Sequence, residues 1–302
     1  MVSPFQQLLP PEIIQRIFSN IHPRYALMYT RLCRSVYHAL NDPRFAEMNL
    51  ANYVHEDHGL DMIWFRWPEV YQAAYAVMKL RNETRIEWTS RFRQVHAAGG
   101  DVGGGGVLPR SVGYLTQLVT LDLRGVGLYG GIPREIGCLV QLVELNLSGN
   151  WMSGRIPSEI GCLGRLKMLD LSLNRLTGPV PDEIGFCREL HFLQLSGNLL
   201  EGSLTEAVGY LDKLHVLALG SNRLSGGIPR QIALMKSLQY LSLEGNLLSG
   251  EVPWEEIGVL PQLSILLLND NRFTGRIPFD FMQSSKMDYR RWDLTGNYFT
   301  IC

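Results

Sequence analysis

Residues able to do chemistry are sparse, and where they gather their spacing is unfavourable. His55-Glu56-Asp57-His58 is the one tempting metal cluster. A helical zinc site needs H-E-x-x-H, which puts two imidazoles at i and i+4 on one face. That spacing is missing, so the segment reads as a solvated turn. The run Gly99-Gly100-Asp101-Val102-Gly103-Gly104-Gly105-Gly106 invites a phosphate-loop reading. No Lys-Ser or Lys-Thr follows it and no G-x-G-x-x-G spacing fits, so it reads as a linker or a worn first repeat. Cys138 and Cys162 hold equivalent places in neighbouring units, with Cys187 one place off. Without a C-x-x-C pair they read as free thiols used as small apolar groups. No G-x-S-x-G, kinase or deaminase signature is present. The expectation is a chain without catalytic residues, metal ligands or cofactors.

The bulk composition narrows the class further. Of 302 residues, 46% are hydrophobic and 19% charged, enough to bury a core. Twenty-eight basic against 29 acidic residues leave a net charge of −1, which argues against nucleic-acid or anionic-membrane binding. No apolar run approaches the roughly 20 residues of a membrane span, and no secretory signal opens the chain. Five scattered cysteines do not form a disulfide scaffold. The expected setting is intracellular, cytoplasmic or nuclear.

The elements behind these residues fall into two halves. Residues 1–98 contain a single glycine, Gly59, out of 30, so the front is free to be helical while the rest is turn-rich. From Leu115 onward the chain repeats. Leu118, Leu142, Leu166, Leu190, Leu214 and Leu238 recur every 24 residues, and Leu263 follows at 25 because Trp254-Glu255-Glu256 carries one extra residue. A unit reads L-x-x-L-x-L-x-x-N-x-L-x-G-x-I-P, as in Leu142-Val143-Glu144-Leu145-Asn146-Leu147-Ser148-Gly149-Asn150-Trp151-Met152-Ser153-Gly154-Arg155-Ile156-Pro157. This resembles the leucine-rich repeat in its plant-type 24-residue form, with seven units and a partial eighth over residues 115–302. The resemblance implies an α/β solenoid with a parallel concave β-sheet.

Stacking explains the residue types. In L-x-L the leucines point inward and are covered only by the next coil, so single units do not fold alone. Asn150, Asn174, Asn198, Asn222, Asn246, Asn271 and Asn297 form a ladder whose amides pair turn backbone that would otherwise be buried unbonded. Val126 at this place in the first unit suggests a worn N-terminal cap. The last unit stops midway, at Phe299-Thr300-Ile301-Cys302, suggesting a truncation or an irregular cap closed by Trp292, Tyr298 and Phe299.

The front, residues 5–50, carries L-P-x-E-I-x-x-x-I-F-S from Leu9, then Leu32-Cys33-Arg34, then Asp42-Pro43-Arg44-Phe45. Pro11 is placed to open a helix with Ile13, Ile14, Ile17, Phe18 and Ile21 at helical spacing, and Asp42-Pro43 to stop a second. The pattern resembles the F-box, departing from it at Val36, where that family often has Trp. The fold class is then a short N-terminal helical F-box-like domain followed by the solenoid. The resemblance implies binding to a Skp-type adaptor and so to a cullin complex, with Leu9, Pro10, Ile13, Ile14 and Ile17 in the adaptor groove and Leu27, Leu32 and Cys33 joining them. A plain helical cap is the alternative.

Residues 51–98 read as a helical connector, with Tyr71, Ala74, Tyr75 and Met78 as core, and residues 99–114 as linker and degenerate first repeat. Trp64, Trp67 and Trp88 are core or an aromatic pocket. Along the concave sheet the third place of each unit runs apolar from Met168 through Phe192, Val216 and Tyr240 to Ile265, and Gln194 stands at a fifth place. Those six residues are the expected target-binding surface, an apolar band with polar ends. The leading expectation is a non-catalytic substrate-recognition subunit of a cullin–RING ubiquitin ligase. The alternatives are a leucine-rich-repeat scaffold or recognition protein and a fragment of a receptor-like sensor.

Overall fold

The computed structural model describes residues 15, 42–46, 69–80, 82–87, 106–278 and 291–300. Two parallel sheets run along the repeats. The nine-stranded sheet starts at Arg85–Glu87, takes one three-residue strand from each unit (Thr120–Asp122, Glu144–Asn146, Met168–Asp170 and onward) and ends at Trp292–Asp293. The seven-stranded sheet runs from Tyr129–Gly130 to Arg272–Thr274. Its strands lie between the Asn place of each unit and the turn that follows.

The sequence dictates this coil. Leu121, Leu145, Leu169, Leu193, Leu217 and Leu241 sit mid-strand at 0–1% exposure, so the nine-stranded sheet puts one face on the core. After the strand the chain must turn sharply, and the eighth place takes a left-handed backbone. Gly149 has φ 66° there and Gly197 φ 70°. Leu173, Ser221 and Asp270 hold the same place with φ 55–56°, without the freedom of glycine. The Pro that follows most of these segments lacks an N–H and opens a 3-10 turn; in one unit Thr205 takes its place and accepts from Ala207 N–H. Pro133 accepts from Ile136 N–H at 3.0 Å, and Arg134–Cys138 follow as the turn. These turns stack closely. A Cβ at Gly161 would come within 2.5 Å of the Glu183 carbonyl oxygen, and one at Gly209 equally near that of Gln231. Glycine is thus a packing requirement at these places, while Ala233 stands at the equivalent place before the longer unit. In the longer unit the extra residue converts the 3-10 turn into a short α-helix, Trp254–Gly258, whose Ile257 N–H reaches back to Pro253 O.

The stack extends further toward the front than the repeat pattern shows. Val107 bridges to Tyr129 and Leu108 is 1% exposed, so residues 107–114 complete half a coil ending in the 3-10 turn Arg110–Tyr114. Arg85–Glu87 then pairs with Thr120–Asp122, with Ile86 buried opposite Leu121. The connector expected to be helical therefore contains a strand, and the unit carrying Val126 is covered by another coil. Val126, 1% exposed, packs as a core residue where later units place Asn. Helix α1, Glu69–Tyr75, continues into a π turn, Ala76–Leu80, and lies against Arg110–Tyr114. Tyr71, Ala74 and Tyr75 are buried in it. Asp42 accepts from Arg44 and Phe45 N–H at 2.9 and 3.1 Å, capping a helical turn that opens with Pro43. Phe45 from that turn meets Tyr71 edge-on at 6.5 Å.

The F-box-like positions Leu9, Pro10, Ile13, Ile14, Ile17, Leu27, Leu32 and Cys33 lie outside the described residues. So do His55–His58, Trp64, Trp67, Trp88 and the glycine run up to Gly105, as does the side chain of Met78. No described helix is long and apolar enough to cross a membrane.

Candidate binding surface

The nine-stranded sheet aligns like with like. Met168 lies opposite Phe192, Phe192 opposite Val216, Val216 opposite Tyr240, and Tyr240 opposite Ile265. The third-place residues therefore form one column on the face away from the core. Phe192 is 42% exposed and the other four are half-buried by their neighbours in the column. The column is a continuous apolar ridge, the arrangement in which exposed apolar area is contiguous.

The polar side chains of the fifth-place column are partly engaged within their own turns. Asn146 Oδ1 accepts from Ser148 N–H at 3.0 Å and its hydroxyl at 2.7 Å. Asp170 does the same with Ser172, and Asp293 with Thr295. These side chains cap the exit of their own strands, leaving less of their hydrogen-bonding capacity for a ligand. The capping is absent in the central units, where Gln194, Ala218, Ser242 and Leu267 stand. Ala218 and Ser242 are buried, which leaves Gln194 as a half-buried amide and Leu267 as an apolar neighbour of Ile265.

A third column borders the apolar one and was not singled out from the sequence. Lys167, His191 and His215 occupy the second place of successive units. The two imidazoles stack in parallel with centroids 5.2 Å apart, and the Phe192 ring lies 6.3 Å from that of His215. His191 Nδ1 is 2.7 Å from the Glu189 carbonyl oxygen, which only accepts, so that nitrogen carries the proton. Nearby, Lys213 binds Glu189 at 2.6 Å and holds its carboxyl below the usual carboxylate range. The signal was available: these places recur every 24 residues like the leucines.

Behind both columns stands the asparagine ladder. Asn198 Oδ1 accepts from Leu176 N–H at 3.0 Å, while its Nδ2 donates to Leu171 O and Leu195 O at 3.0 Å each. One amide thus ties three backbone groups in two coils. Asn150, Asn174, Asn222, Asn246, Asn271 and Asn297 repeat the pattern. The cysteines follow their expectation only in part. Cys187 is buried, donates to Ile160 O at 3.3 Å, and has its thiol pushed up to about 12 by burial, with Cys162 adding to the shift. Cys138 and Cys162 are exposed instead. No group of acidic, His and Cys side chains suited to a metal ion is found among the described residues.

Comparison with known proteins identifies the repeats. The family model described as Leucine Rich Repeat matches residues 141–163 and 165–187, and no F-box is found. No curated protein matches the chain. Among solved structures, the plant peptide hormone receptor RGFR1 in complex with RGF2 is similar at 36% identity and TM-score 0.61, over 64% of this chain and 30% of that one. The leucine-rich-repeat ectodomain of the plant membrane receptor kinase GASSHO1/SCHENGEN3 from Arabidopsis thaliana, in complex with CASPARIAN STRIP INTEGRITY FACTOR 2, gives the same identity and TM-score over 64% and 23%. A plant ice-binding protein matches at 28% identity and TM-score 0.51, over 66% and 70%. The chain spans less than a third of the length of the two receptor structures. Residues 141–163 and 165–187 are leucine-rich repeats, and the described solenoid around them is similar to plant receptor structures. The ice-binding neighbour shows that one such fold serves unlike tasks, so function has to be argued from the surface.

Proposed function

We propose that the protein is a non-catalytic recognition module that holds an extended peptide segment of a protein partner along the nine-stranded sheet. Met168, Phe192, Val216, Tyr240 and Ile265 bury the apolar side chains of the segment, and Gln194 supplies a central hydrogen-bonding amide. Lys167, His191 and His215 border it with nitrogen donors. The observation that carries this reading is the unbroken apolar column aligned by the strand register. The peptide hormone receptor RGFR1, 36% identical in sequence over the matched part, supports a peptide ligand. The ubiquitin-ligase reading rests on the resemblance of residues 5–50 to an F-box. No observation on the described residues favours it, and the receptor neighbours give no support to an intracellular setting.

Peptides selected from a random library against the immobilised chain provide the test. Phe192→Ala and Tyr240→Ala are each expected to weaken the selected peptide about thirtyfold, or about 2 kcal/mol, in isothermal titration. Unchanged affinity in both folded variants contradicts the proposal.

A further inference from the structure

A second apolar column runs on the opposite side of the coil, along the ends of the 3-10 turns. The residue that follows the Ile-Gly, Val-Gly or Ile-Ala pair of each turn points outward: Tyr114, Cys138, Cys162, Phe186, Tyr210 and Leu234 in successive units, then Val259 in the longer one. All are exposed, Phe186 at 67% and Tyr210 at 54%. Seven apolar residues in register on a solvent-facing turn are not required by the coil, whose inward needs are met by the buried Ile or Val two places before each and the buried Leu, Cys or Met after it. The tight stacking forced by Gly161 and Gly209 keeps the column continuous.

Charge along one flank is one-sided. The residues that open these turns, from Arg110 to Glu256, include seven carboxylates and three guanidinium groups. Arg110 stands at the far front end, and the other two arginines are engaged, Arg134 with Glu159 at 3.7 Å and Arg230 with Glu256 at 3.3 Å. In the central units Asp182 accepts from the Thr205 hydroxyl and Glu206 from the Gln231 amide, neutral donors that leave both negative charges in place. A groove of about 830 Å³ brings the two features together, with Phe186 and Tyr210 beside Asp182 and Glu206. On the other flank the charges are mixed, as in the Glu189–Lys213 pair.

We infer that this column docks an extended basic segment of a partner protein, in which Lys or Arg alternates with large apolar residues. The apolar side chains cover Cys162, Phe186 and Tyr210, and the cations lie on the side of Asp182 and Glu206. This surface is separate from the nine-stranded sheet, so the module would hold two segments at once.

The probe is a synthetic peptide in which lysine alternates with leucine, with its glutamate-for-lysine counterpart as control. The lysine peptide is expected to bind, and more weakly as salt rises, while the glutamate peptide does not. Phe186→Ser combined with Tyr210→Ser should weaken the lysine peptide about tenfold or more. Asp182→Asn with Glu206→Gln should weaken it less and flatten the salt dependence, and Phe192→Ala should leave it unchanged. A second readout keeps the test open if the Ser double variant misfolds. Alkylation of Cys138 and Cys162 in the unaltered chain should slow when the lysine peptide is bound. Equal binding of the two peptides, unaltered binding by the folded double variant, or no protection of the thiols overturns the inference. So does sedimentation showing a dimer that dissociates in that variant, because the column is then occupied by a second copy of the chain.

Discussion

The two sheets of the solenoid are built from the same repeat and yet read it differently. In the nine-stranded sheet, partners are one full repeat apart, Thr120 with Glu144 and Glu144 with Met168. Each column therefore collects a single repeat place, and a bias at that place becomes a surface of uniform chemistry. In the seven-stranded sheet the register slips by two. Ser153 faces Arg175 and not its equivalent, Thr177, and Thr177 faces Leu199. Rows there mix places, as in the pairs Tyr129 with Trp151 and Ser225 with Leu247. Of the two sheets, the coherent column forms on the one where strand register and sequence period coincide.

The slip has an identifiable cause, and breaking it gives the largest stability effect. Each ladder Asn accepts from a backbone N–H in the seven-stranded segment of the preceding unit, as Asn198 does from Leu176. The asparagine therefore ties the in-step sheet to the staggered one. Asn198→Ala should lower stability by about 1–3 kcal/mol in urea denaturation, since three buried backbone groups lose a partner.

Leu173 sharpens the comparison at the seam between the sheets. It holds φ 55° where most units place glycine, and its side chain is 66% exposed, so little burial offsets the strain. Leu173→Gly should raise stability by about 1 kcal/mol, the relieved strain exceeding the extra entropy glycine loses on folding. Glu201 faces solvent from a staggered strand. Glu201→Ala should stay within about 0.5 kcal/mol by the same urea measurement. Effects of similar size at Asn198 and Glu201 would mean that the amide ladder does not couple the sheets.

Much of this architecture was legible in the residues. The leucine period placed the core, and the Asn row named the amides that pair the turns, because both follow from burial and hydrogen-bond satisfaction at fixed places. The slip of the second sheet was not legible, since a 24-residue period looks identical whichever register the strands adopt. The strand at Arg85–Glu87 escaped because it brings a single buried residue, Ile86, with no L-x-L around it. On the candidate surface, the apolar column from Met168 to Ile265 was visible, but the inward turn of Asn146 and Asp170 was not. Alternation along a strand says which face a side chain leaves from, and not whether it then folds back onto its own turn. The exposed column from Tyr114 to Val259 was half visible in the matched places of Cys138 and Cys162, where burial of both thiols was the expectation.

The central claim is that the in-step sheet, and not the staggered one, receives the partner segment. Photo-cross-linking tests it most directly, using a library-selected peptide that carries a photoreactive group and mapping the adducts by mass spectrometry. The account predicts adducts on the column of Met168, Phe192, Val216 and Tyr240. Adducts confined to Trp151, Arg175 and Leu199 on the seven-stranded sheet, or to Phe186 and Tyr210 on the 3-10 turns, would contradict it.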